Sequence, residues 1–131
     1  NVTFDKFQFD LGIDSTTNVS GAMGGALDPT NGMYWTWQSG YINFKLEGRS
    51  NSCDTRNNEF QFHLGGYASP FSSLQTVTFN VKNSRDFILV LDLSQLLNNV
   101  DLAKQNHIMS PSKEAVKFSK LVAQSFRCIE Q

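Results

Sequence analysis

Four stretches of the chain alternate apolar and polar residues with a period of two. Phe7, Phe9 and Leu11 alternate with Gln8 and Asp10. Ile42, Phe44 and Leu46 alternate with Asn43, Lys45 and Glu47. Phe60, Phe62 and Leu64 alternate with Gln61 and His63, and Val77, Phe79 and Val81 with Thr76, Thr78 and Asn80. Successive side chains of an extended strand point to opposite faces, so each stretch predicts a strand with one buried and one polar face. Phe87–Leu91 is apolar throughout, which predicts a strand covered on both faces. Leu93–Asn98 reads as a helical turn. Ala115, Phe118, Leu121, Val122 and Phe126 then recur at helical spacing. Ser110 as N-cap and Pro111 at the first helical position predict where this helix starts, and the pattern carries it through residue 127. Together these elements predict a mainly β fold: an antiparallel β-sandwich with one C-terminal helix lying on the sheet, in a single domain over residues 1–131.

Between the first two strands lies a long segment, residues 12–40, rich in Gly, Asn, Ser and Asp. A segment of that length in a compact domain is usually functional or has local structure of its own. Asp28-Pro29 can cap and start a helical turn within it. Residues 48–58 form a second polar loop, which holds Cys53, and Gly65-Gly66 ends the third strand. No internal repeat and no low-complexity stretch is visible.

Charge narrows the partners. Lys plus Arg is 11 and Asp plus Glu is 12, a formal net charge of -1. With no basic stripe, nucleic acid is excluded as a partner on electrostatic grounds. Charged residues make up 18%, below the usual quarter, and neutral Asn, Ser and Thr take up the difference. That balance suits an extracytoplasmic β-protein, in the periplasm, on the outer surface or secreted. No segment is long and apolar enough for a transmembrane helix. The chain opens at Asn1 with neither Met nor a signal-like stretch, so it is expected to be a processed or partial form. Cys53 and Cys128 either form one disulfide or remain two free thiols; their spacing supports no zinc site.

The candidate chemistry concentrates in residues 27–41. That stretch holds both tryptophans, two of the three tyrosines, two glycines and a proline. Large rings beside turn formers mark a binding loop. The commoner role for such rings is to plug the open end of a core. No nucleophile elbow of the GxSxG kind is present, and residues 21–25 lack the Lys-Ser/Thr of a phosphate cradle. Asp14 and Asp28 could offer oxygen ligands to calcium. Their spacing does not match an EF-hand, and Asp more often builds turns through its own backbone. His63 sits mid-strand on the polar face. Its ring is either a ligand for copper or zinc or a half-exposed histidine bonded to a backbone carbonyl. His107 lies in a turn-like stretch before the helix.

The wording of several segments carries further. Gly12-Ile-Asp-Ser-Thr-Thr-Asn-Val-Ser-Gly21 comes first. Gly25-Ala-Leu-Asp-Pro-Thr-Asn-Gly-Met-Tyr-Trp-Thr-Trp-Gln-Ser-Gly-Tyr41 follows, then Lys45-Leu-Glu-Gly48 and Phe62-His-Leu-Gly-Gly66. In this order they resemble the MbnP-like family, named for a protein encoded beside methanobactin biosynthesis. Met109-Ser-Pro111 and the helix after it extend the likeness. The chain is similar to the family's C-terminal portion, without the N-terminal half and its additional histidine. The resemblance implies an extracytoplasmic β-sandwich that binds copper, in which a tryptophan can be oxidised to kynurenine. By motif, His63 would be the imidazole ligand, Trp35 or Trp37 the modified or neighbouring aromatic, and Met33 a soft thioether suited to Cu(I). Tyr34 and Tyr41 would line the site, with the Trp segment packed over the His63 face.

The leading expectation is therefore a copper-binding protein for uptake, storage or delivery, with a partner protein for copper transfer and no catalytic turnover. The alternative is a surface recognition module stacking carbohydrate or peptide on Trp35, Trp37, Tyr34 and Tyr41. A third reading is a structural fragment that leaves an apolar sheet face open to self-association.

Overall fold

In a computed structural model the described residues are 3–82 and 86–131. All the alternating stretches form strands: β1 (Lys6–Leu11), β3 (Gly40–Arg49), β4 (Glu59–Gly65) and β5 (Gln75–Asn80). They are joined by β2 (Tyr34–Thr36), β6 (Phe87–Leu91), β7 (His107–Ile108) and β8 (Phe126–Glu130). Three helices, α1 (Ser15–Val19), α2 (Leu93–Asn98) and α3 (Lys113–Gln124), complete the fold. The strands hydrogen-bond as a four-stranded sheet in the order β2-β3-β4-β7 and as two ribbons, β1-β5 and β6-β8. Every pairing is antiparallel except β4 with β7.

The apolar sets fix how these pieces meet. Phe60, Phe62 and Leu64 of β4 turn inward to a core that includes Leu96, Ile108, Ala115, Phe118 and Val122. The Phe62 and Phe118 rings lie 4.3 Å apart, centre to centre, and seat α3 on the sheet. The same helix also contacts β5. Phe7 stacks on Phe87 at 5.5 Å and Phe9 meets Phe126 edge-on at 5.3 Å, which joins the two ribbons. The result is mainly β and sandwich-like, with the buried side of α3 packed on β4 and β5 and its other side exposed.

Several expectations shift. The C-terminal helix starts later than Ser110: its N-cap is Ser112, whose Oγ accepts from Ala115 N at 3.0 Å. Pro111 stands outside the helix, its ring in the space a side chain on Gly66 would need. The helix ends at Gln124, and Phe126 opens β8 opposite Leu91. Phe126 follows Val122 by four residues, so an inward strand position imitates one more helical turn. β6 is not covered on both faces: Ile88 and Ile129, paired across the ribbon, are 44% and 47% exposed. His107 lies in β7, in register with Gln61, rather than in a turn. The candidate disulfide is not formed. Cys53 and Cys128 are free thiols, the first sealed in the core beneath α3 and the second out on β8 opposite Leu89.

A candidate metal-binding face beside the tryptophan hairpin

His63 sits within β4, paired with Lys45 on β3; Glu47 pairs with Gln61, two residues away on the same face. These residues share the face of the sheet turned away from the Phe62 core. His63 is nonetheless only 7% exposed. Its Nε2 lies 2.6 Å from Glu47 Oε1, a charge-assisted distance. That bond from His63 is the main reason the Glu47 carboxyl is held below its ordinary range, opposed by desolvation and aided by the nearby charge of Lys45. His63 is thus neither half-exposed nor bonded to a backbone carbonyl.

The tryptophan segment folds as a hairpin. β2 runs out, residues 37–39 turn, and Gly40 at φ 74° brings the chain back into β3 with left-handed backbone that glycine adopts freely. Trp35 is the ring that reaches the His63 face. It lies over Gly65, where an added Cβ would stand 2.7 Å from the indole Cζ3 and 2.7 Å from the Tyr41 carbonyl oxygen. Gly65 and His63 are two residues apart on one strand, about 7 Å along it, so Trp35 covers the same side of the sheet that His63 faces.

The other expected residues are elsewhere. Trp37 is in the turn and 72% exposed. Met33 opens onto a cavity of about 220 Å³ whose walls include Gly12, Ala26, Asp28, Tyr41 and Asn43, and not His63. Tyr41 is 2% exposed and acts as the pillar of the 12–40 segment. Its hydroxyl donates to Leu27 O at 2.8 Å and accepts from Met23 N at 2.9 Å, and Tyr34 packs edge-on at 4.8 Å. The four rings therefore form no common stacking platform. Asp14 and Asp28 are helix caps. Asp14 accepts from Thr17 N and Thr17 Oγ1, and Asp28 from Thr30 N and Thr30 Oγ1. Hydrogen bonds from Thr17 and from Thr30 hold the respective carboxyls below their usual range. Their oxygens serve the backbone, as Asp in turns commonly does.

Among the described residues, no group of three or more His, Cys, Asp and Glu side chains is placed to hold a metal. On this face His63 is a single imidazole bonded to Glu47, and an unmodified indole offers only an N–H donor, so these residues alone do not complete a metal coordination sphere. Glu47 was the residue hidden from sequence reasoning. It and His63 occupy polar positions of two alternating stretches, and only the β3–β4 register shows that they meet.

A family model described as MbnP matches residues 1–110. The chain belongs to the MbnP family. No curated protein and no solved structure matches it. The match takes in the whole tryptophan hairpin, both strands of the His63–Glu47 pair and β7 of this MbnP protein. Among its described residues no helix is long and apolar enough to cross a membrane.

Proposed function

We propose that this MbnP protein binds copper outside the cytoplasm, as cargo for uptake, storage or delivery, without catalytic turnover. The observation that carries the reading is His63: an imidazole buried on the polar side of a sheet and hydrogen-bonded to Glu47, with Trp35 over Gly65 on the same face. Neutral imidazole suits copper, and a partner on its second nitrogen is the arrangement metal-ligating histidines usually have. The small donor set suits loading and unloading, because open coordination positions let a partner protein exchange the ion. For the oxidised, amine-bearing tryptophan that the family resemblance implies, Trp35 over Gly65 is the better-supported candidate than the exposed Trp37. The stacking alternative has less support, since Trp37 is the one ring of the four that stands well out in solvent.

The test is metal content after incubation with Cu(II) or Zn(II) and thorough desalting, on wild type and on His63→Ala. About one copper per wild-type chain, lost in His63→Ala with the unfolding midpoint retained, is the expected result. Equal retention in both proteins, or none in the wild type, would overturn the reading.

A further inference from the structure

We propose that His107 and Met109 form a metal site of their own, for a soft monovalent ion of the Cu(I) kind, at the outer edge of the sheet. β7 is the last strand in the order β2-β3-β4-β7 and has no strand on its far side among the described residues. It is nonetheless anchored. Gln61 N donates to Asn106 O at 2.9 Å, and Ile108, 5% exposed, belongs to the core. His107 and Met109 stand on either side of Ile108, and both are exposed. In extended chain the residues flanking an inward one share the outward face, about 7 Å apart. An imidazole and a thioether at that spacing can close on one ion between them. Both line a cavity of about 400 Å³ beside the start of α3, and Glu114, from the first turn of that helix, lines it too. Among the described residues the side chains of His107 and Glu114 have no hydrogen-bond or ion-pair partner. Lys104, on the same wall, is paired with Asp101 at 3.4 Å.

The donors choose the ion. Calcium and magnesium want several oxygens, and structural zinc wants four thiolate, imidazole or carboxylate ligands. Thioether sulfur beside imidazole nitrogen suits Cu(I), which accepts few ligands. The cavity offers only two side chains of the His, Cys, Asp and Glu kind, so it is the Met109 sulfur that makes a soft-metal site of it. Its walls are held without an ion: β7 by the parallel register with β4, α3 by the Ser112 cap, and Pro111 between them by its seat against Gly66. His63 is not among the lining residues, so this site does not depend on the reading of His63. An exposed pair of donors takes up and gives back an ion readily, which fits a surface transfer point.

The test uses Cu(I), kept anaerobic and in solution with acetonitrile, titrated into the whole chain with carbon-13 methyl methionine. NMR reads the methyls of Met23, Met33 and Met109 and the rings of His63 and His107. The Met109 methyl and the His107 ring should shift together along one titration curve, in wild type and in His63→Ala alike. His107→Ala should lose the Met109 shift. Met109→Leu, which conserves volume, should need more Cu(I) to move the His107 ring. A Met109 methyl that Cu(I) leaves in place, or one that moves equally in His107→Ala, would overturn the proposal. So would a joint shift that vanishes in His63→Ala. Joint shifts in a wild type that holds no copper at His63 would support this site and sink the His63 reading alone. Both side chains point outward, away from the core. Should His107→Ala still fail to fold, the curves of wild type and Met109→Leu decide.

Discussion

Asn18 joins the two ends of the 12–40 segment. Its Nδ2 donates to Ile13 O at 3.0 Å and Asp14 O at 2.9 Å, and its Oδ1 accepts from Tyr41 N at 2.8 Å. Gly40 leaves room for that contact, because a Cβ there would run into Asn18 Oδ1. Asn18→Ala strips the buried Tyr41 amide of its acceptor. It should destabilise the protein by about 1–3 kcal/mol in urea unfolding, with the Tyr41 amide among the first to gain hydrogen exchange. A loss below a few tenths of a kcal/mol would show that water replaces the side chain. In the sequence Asn18 reads as one more polar loop residue, since its decisive partner lies 23 positions away. Asp28 was legible because its cap is local: it bonds Thr30, two residues on, and Pro29 and the left-handed Gly32 frame the turn. His63 was legible as a candidate from its residue type, whereas its burial and its bond to Glu47 needed the strand register.

At the scale of elements, periodicity located the strands well and the ends of the helix poorly. The start of α3 offers two serines on either side of Pro111, and composition favours the first. Geometry selects Ser112, whose extended backbone (φ -163°, ψ 168°) aims its hydroxyl at the Ala115 amide. Ser112→Ala should therefore cost about 1 kcal/mol, while Ser110→Ala should be nearly silent, as read by chemical unfolding. The reverse order would move the cap back to Ser110. β6 misled for a different reason. An all-apolar run suits a strand buried on both faces, but β6 pairs only with β8 among the described residues, and Ile88 and Leu89, which point to opposite faces, both stay substantially exposed. β7, two residues long, is too short to show a period and is set by its parallel contact with β4.

For the whole molecule, the amphipathic stretches announced a layered β protein with a packed helix, and the layers are there. Which strands pair was not legible, because alternation says which face is apolar and not which neighbour lies beside it. Phe118 is where the layers meet: it is 1% exposed and packs on Phe62. Phe118→Ala should cost about 3–5 kcal/mol, measured by urea unfolding, with the cavity loosening α3 from β4. A cost under 1 kcal/mol would mean that the core collapses around the gap. The outer ribbon carries a kinetic consequence. β3 closes on β2 through a tight turn and on β4 through a short loop, whereas β1 must find β5 across about half of the chain. The hydroxyl of Thr78 donates to Gln8, 70 positions distant. Closing a span that long costs roughly 1.7 kcal/mol more chain entropy than closing ten residues. Chain entropy therefore favours the hairpins that bear Trp35, Glu47 and His63 in the early encounters of folding, and leaves the N-terminal strand to arrive late. The His63–Glu47 contact, carried by a local hairpin, is thus expected to form before the far ribbon zips shut.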